Sequence, residues 1–84
     1  MQLIFSDLAW EDYLHWQATE PKILKRIHAL IADARRHPHE GLGKPEPLRH
    51  GLAGWWSRRI NDEHRMVYKA TGDALLIAQL RYHY

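Results

Sequence analysis

Cysteine is absent from all 84 residues, which closes the disulfide route that small domains often use to supplement a modest core. No run of 18 or more apolar residues occurs, and no charged start leads into a greasy stretch. Neither a membrane-spanning helix nor a signal peptide is therefore expected, and the reading is a cytoplasmic chain with no membrane partner. A Gly-rich phosphate loop, a nucleophile elbow and a dinucleotide fingerprint are missing as well, so nucleotide hydrolysis, serine hydrolase and redox cofactor chemistry lose their usual motifs. His28, His37, His39 and His50 lie close enough in sequence to suggest zinc. No Cys or HxxxH spacing accompanies them, so no metal and no cofactor are expected.

What is present is a basic tilt. Twelve Lys and Arg against ten Asp and Glu leave a net charge of +2, and seven His add to it. The length supports one core and hence one domain, residues 1–84.

The chain opens with a short apolar strand, Gln2 to Phe5, and Ser6 stands where a helix N-cap belongs. A first helix is predicted from about Asp7 to Gln17, with Leu8, Trp10, Tyr13, Leu14 and Trp16 on its apolar stripe. A second begins at Pro21, turns Ile23, Ile27, Leu30, Ile31 and Ala34 inward, and ends before Pro38. From His37 to Gly54, glycine and proline predict a long functional or mobile loop. The pattern then alternates, predicting strands over Trp55–Ile60, Arg65–Ala70 and Ala74–Leu80. The expected fold is α+β, in the order β-α-α-β-β-β, with two helices on one face of an antiparallel sheet.

Strand parity sharpens this picture. If Ile60 pairs with His64 and Ala70 with Ala74, then Ser57, Arg59, Arg65, Lys69, Arg81 and His83 share a face with Val67, Leu75 and Ile77. In the loop, Pro45 fixes its own φ and Pro47 presses Glu46 towards an extended backbone, so the Glu46 carboxylate stands on a stiff support between Lys44 and Arg49. A carboxylate, an arginine and a histidine are the functions that cleave RNA without metal. One takes the 2′-hydroxyl proton, one neutralises the phosphorane and one protonates the leaving 5′-oxygen. A basic α+β module that merely docks on structured RNA or DNA, or serves as a co-repressor, is the rival reading. A carboxylate facing phosphates adds little to such a surface.

Gly43-Lys44-Pro45-Glu46-Pro47-Leu48, Trp56-Ser57-Arg58-Arg59-Ile60, Glu63-His64-Arg65 and Arg81-Tyr82-His83-Tyr84 together resemble the YoeB-type toxins of the RelE/ParE superfamily. The resemblance implies a microbial ribonuclease (RelE-like) fold and cleavage of mRNA in the ribosomal A site, leaving a 2′,3′-cyclic phosphate and a 5′-hydroxyl. By the same resemblance Glu46 is the general base, His83 the general acid, Arg65 the phosphate clamp and Tyr84 the residue that orients the nucleotide. Lys44, Arg49, Arg59 and Glu63 are implied to bind substrate. Expected partners are the ribosome, with Lys22, Lys25, Arg26, Arg35 and Arg36 facing ribosomal RNA, and a YefM/Phd-type antitoxin whose complex with the toxin binds operator DNA. A second copy of the chain, forming a homodimer, completes the set.

Overall fold

The computed structural model describes residues 1–50 and 53–83. Among them the elements run β1 (Gln2–Phe5), α1 (Asp7–Thr19), α2 (Pro21–Arg36), β2 (Glu46–Pro47), β3 (Trp56–Arg59), β4 (Arg65–Ala70) and β5 (Ala74–Gln79). The strands form one sheet in the order β1-β5-β4-β3-β2. β3, β4 and β5 pair antiparallel as expected, and Glu46–Pro47, read from sequence as part of a loop, adds β2 antiparallel to β3. β1 lies parallel to β5, with Leu3 opposite Leu75, because α1 and α2 carry the chain across the sheet face before it returns.

Local chemistry explains where the helices begin. The Ser6 hydroxyl accepts from the Ala9 amide at 3.0 Å and caps α1. Pro21 opens α2, where its missing N–H leaves no bond unmade. α2 buries Ile27, Leu30, Ile31 and Ala34, the stripe its spacing predicts. α1 does not follow prediction: Ala9, Asp12 and Trp16 face the core, whereas Leu8, Trp10 and Leu14 are 53%, 50% and 42% exposed. That helix carries apolar residues nearly all round, so spacing alone does not choose its buried side.

Both helices cover the sheet face that bears Ile60, Met66, Tyr68, Leu75, Ile77 and Leu80. Leu75 and Ile77 thus lie opposite to the face assigned by parity. The connection after β4 is one residue longer than expected, and Ala70 pairs with Leu75 instead of Ala74. Thr71 holds that turn, its hydroxyl accepting from the Ala74 amide at 3.0 Å. The register changes again between Val67 and Tyr68: Tyr68 pairs with Ile77 and Val67 with Gln79, leaving Ala78 as the extra residue of a bulge. The two shifts add to an offset of two residues, so beyond Ala78 odd-numbered residues of the two strands again share a face, as sequence parity assumed.

Two side chains of α1 fasten the end of β5. The Asp12 carboxylate accepts from the Leu80 amide at 3.0 Å, and the Trp16 indole donates to the Leu80 carbonyl at 2.9 Å. Asp12 is buried, and this bond supplies the partner that a buried carboxylate requires.

Candidate active site

The sheet face turned away from the helices carries Glu46, Arg59 and Arg65, three of the residues singled out from sequence. Glu46 pairs with Ser57, Ser57 with Val67, and Val67 with Gln79, so these four form a row across β2, β3, β4 and β5. Adjacent strands are about 4.8 Å apart, which puts Glu46 and Gln79 roughly 14 Å from each other along the row. Arg59 pairs with Arg65 two residues towards the β3–β4 turn, roughly 7 Å along the strands.

Like charges placed opposite each other on a sheet repel. The structure separates them by treating them differently. Arg65 is only 7% exposed, and its Nη1 donates to the carbonyls of Asn61 (2.7 Å), His64 (3.1 Å) and Asp62 (3.2 Å). Its Nε and Nη2 have no hydrogen-bond partner among the described residues, which leaves donors available to a phosphate on a guanidinium already fixed in place. Arg59 is exposed, and among the described residues only its backbone is anchored: the amide donates to the Gly43 carbonyl at 2.7 Å. Glu63 lies exposed in the same turn.

The segment leading to Glu46 is held from beneath by Arg58, which is fully buried. All five guanidinium N–H groups find acceptors: Tyr68 Oη at 3.0 Å, Asp33 Oδ2 at 2.6 Å, and the carbonyls of Leu42 (3.0 Å), His37 (2.5 Å) and Glu40 (2.8 Å). The long loop is therefore nailed to α2 and β3 over its first half. Gly41 takes φ +104°, and a Cβ there would sit 2.2 Å from Asp33 Oδ2, so the close approach needs glycine. The Arg58 guanidinium, followed by the Leu42 amide, holds the Asp33 carboxyl below the ordinary carboxylate range. Burial pushes the Tyr68 phenol up despite its bond from Arg58, and its hydroxyl donates to the Pro38 carbonyl at 2.5 Å.

Beyond this anchor Lys44 turns through a left-handed φ of 51°, and Glu46 emerges in β2 with an extended backbone and an exposed side chain. It shares a groove with Pro47, Arg49 and His50. Lys44 is exposed just before it.

The C-terminal segment forms the other end of the row. His83 is exposed and shares a second groove with Leu8, Glu11, Asp12, Gln79, Arg81 and Tyr82. Arg81 does not join the Arg59–Arg65 face: its guanidinium lies over the Trp16 ring at 5.8 Å and the Tyr82 ring at 4.9 Å. Parity ceases to govern here because the chain leaves the strand after Leu80 and bends at Tyr82, φ 60°. His83 reaches the arginine pair through the backbone, since the Arg65 amide donates to the Tyr82 carbonyl at 3.0 Å. Glu46 and His83 share no hydrogen bond or ion pair, and they open onto separate grooves at the two ends of the row. Tyr84 lies outside the described residues.

On α2, Lys22, Lys25 and Arg36 are exposed, whereas Arg26 donates to the Arg59 carbonyl at 3.4 Å and Arg35 to the Met1 carbonyl at 3.0 Å. Among the described residues no three His, Asp or Glu side chains converge as metal ligands, and no helix is long and apolar enough to cross a membrane. Sequence reasoning missed Arg58, although Arg58 shares strand parity with Trp56 and Ile60, which face the core. It also missed His64 and Gln79, whose partners become visible only once the bulge and the terminal bend are in place.

Comparison with known proteins agrees with this geometry. Residues 5–84 match the family described as "YoeB-like toxin of bacterial type II toxin-antitoxin system". Toxin YoeB of Escherichia coli strain K12 is 61% identical over 84 residues, covering 100% of both chains. Two structures from Staphylococcus aureus, each 42% identical and covering 100% of this chain and 98% of theirs, superpose closely. One is a YoeB dimer, with a TM-score of 0.95, and the other a YoeB–YefM complex, with a TM-score of 0.92.

Proposed function

Because this chain belongs to the YoeB-like toxins of bacterial type II toxin-antitoxin systems, we propose that it is a ribosome-dependent endoribonuclease that cuts mRNA in the ribosomal A site. The observation that carries the reading is the cross-sheet row from Glu46 to Gln79, with a restrained guanidinium, Arg65, beside it and His83 beyond its far end. In this reading Glu46 takes the 2′-hydroxyl proton and Arg65 offers Nε and Nη2, which have no partner among the described residues, to the phosphorane. His83 protonates the 5′-oxygen, and Tyr84 orients the nucleotide. The products are a 2′,3′-cyclic phosphate and a 5′-hydroxyl. Lys44, Arg49, Arg59 and Glu63 grip the flanking RNA, and Lys22, Lys25 and Arg36 supply the most accessible cations for ribosomal RNA.

Acid and base steps each contribute typically about 10² to 10⁴ in rate. Glu46 and His83 stand at opposite ends of the row and share no hydrogen bond, so the reading requires the bound substrate to supply the alignment between them. The ribosome supplies that alignment. Work as a single cytoplasmic domain without a resident cofactor follows from the same chemistry.

A YefM-type antitoxin with a disordered tail is the proposed neutralising partner, and the Staphylococcus aureus YoeB–YefM complex supports it. The pair would bind operator DNA together. A homodimer is proposed on the Staphylococcus aureus dimer. Leu8, Trp10 and Leu14 are exposed apolar surface that such partners can cover.

The test is cleavage of one message, naked and ribosome-bound, by purified protein, with the RNA ends mapped. Cuts inside the A-site codon of bound message are expected. Glu46→Gln and His83→Ala should each slow them about 10² to 10⁴-fold. Equal cleavage of naked and bound message would refute the ribosome dependence, and near-normal single-turnover rates in either variant would remove that residue's role.

A further inference from the structure

After Leu80 the chain has no strand partner, yet Arg81–His83 is tightly held. His64 is buried, its ring edge-on to Trp16 at 4.8 Å and tilted against Tyr82 at 5.6 Å. Its Nδ1 accepts from the Tyr82 amide at 2.8 Å, so the neutral ring carries its proton on Nε2, 3.7 Å from Glu63 Oε2. Gln79 pairs with Val67 across the strands and aims its side-chain amide at three successive carbonyls: Arg81 (2.8 Å), Tyr82 (3.4 Å) and His83 (3.1 Å). Between these two supports Tyr82 adopts a left-handed backbone, a conformation that a residue with a Cβ keeps only where its surroundings enforce it.

We propose that His64 and Gln79 are positioning residues for the cleavage reaction: they fold the terminal backbone over and thereby set where the His83 imidazole stands. The inference rests on the general-acid reading of His83. Terminal segments fray unless tied down. Here the hydrogen bonds from His64 and Gln79 go to backbone, while the His83 side chain stays exposed. That division suits a group that must be placed accurately yet remain available to substrate. Neither His64 nor Gln79 needs to touch RNA. The Glu46 end of the row has a comparable device in Arg58, so both ends are braced from residues that stand outside the chemistry.

The experiment uses the full chain in single-turnover cleavage of ribosome-bound mRNA. His64→Phe keeps a ring against Trp16 and removes the acceptor; His64→Asn restores an acceptor near the Nδ1 position; Gln79→Glu keeps the shape and removes the donor. A displacement of about 1 Å can cost about 10²-fold in rate. We expect His64→Phe and Gln79→Glu to lower kcat by about ten- to a hundredfold with KM for the ribosome unchanged, and His64→Asn to recover most of the loss. Exchange of the Tyr82 amide with solvent should become fast in His64→Phe and remain slow in His64→Asn. Wild-type kcat in both His64→Phe and Gln79→Glu overturns the inference, and so does a normal His64→Phe beside an impaired His64→Asn, which would make packing the whole role of His64. Should His64→Phe fail to fold, Gln79→Glu decides alone by the same kcat criterion. His83→Ala, run in parallel, separates the two readings: if it cuts normally, the general-acid assignment fails, whereas if it is slow while the other variants are fast, only the positioning inference fails.

Discussion

Arginine appears on both faces of this sheet, and the two faces use it in opposite ways. On the helix-covered side Arg58 spends every N–H on an internal acceptor, joining α2, the loop and β4. On the open side Arg65 commits one nitrogen to the turn and keeps two without partners among the described residues, while Arg59 keeps its whole side chain exposed. A saturated guanidinium is structural glue, since another anion could bind only by displacing a bond already made. An undersaturated one on a fixed backbone is a binding group in waiting. Saturation, more than burial, separates the roles, because Arg58 and Arg65 are both buried.

That distinction has measurable consequences. Arg58→Ala removes a buried charge from Asp33, three carbonyls and Tyr68 at once. The expected destabilisation is about 3–5 kcal/mol in urea unfolding. A loss below about 1 kcal/mol would mean that water replaces the network without penalty.

A gentler probe is pH. Asp33 is held below its ordinary value of 3.8, chiefly by the Arg58 bond, so its stabilisation is complete above that value and is lost as pH falls through the lower folded-state pKa. Wild-type protein should therefore lose stability below about pH 4, and Asp33→Asn should flatten that part of the acid unfolding curve. An identical acid limb in the variant would show that other carboxylates carry it.

The smallest structural effect belongs to Arg59→Ala on the open face. Stability should shift by no more than about 0.5 kcal/mol, because the side chain is exposed and makes no hydrogen bond among the described residues. Message cleavage on the ribosome should nevertheless weaken, and the salt dependence of ribosome binding should become shallower by about one charge. Unchanged cleavage and an unchanged salt slope would place Arg59 with ordinary solvated residues.

Much of this was readable from residues alone where one period dominates. The α2 stripe, the Ser6 cap, the Pro21 start and the pairing of Arg59 with Arg65 all follow from spacing and local chemistry. The buried side of α1 was not readable, because three large apolar residues remain on its outer side. The β4–β5 register was off by one since turn length depends on how Thr71 bonds, a choice that leaves no trace in alternation. At the site, Glu46 and the arginine pair could be anticipated, whereas the placement of Arg81 and His83 depended on a bend at Tyr82 that no turn residue advertises. Arg58 was hidden by a reasonable prior, that charged strand residues face water. Its parity with Trp56 and Ile60 argued the other way.

The parallel seam between β1 and β5 bears on the order of assembly. Gln2 meets Ala74 and Phe5 meets Ile77, so the first strand to be synthesised waits for the last before it has anything to pair with. Joining segments that far apart in the chain is slow and entropically costly, and contacts of this range govern folding rate more than stability. A nascent polypeptide halted before Leu75 would lack Leu75, Ile77 and Leu80 from its interior and leave the backbone of β1 without its partner strand. Translation must run nearly through β5 before the sheet that carries the candidate site can close.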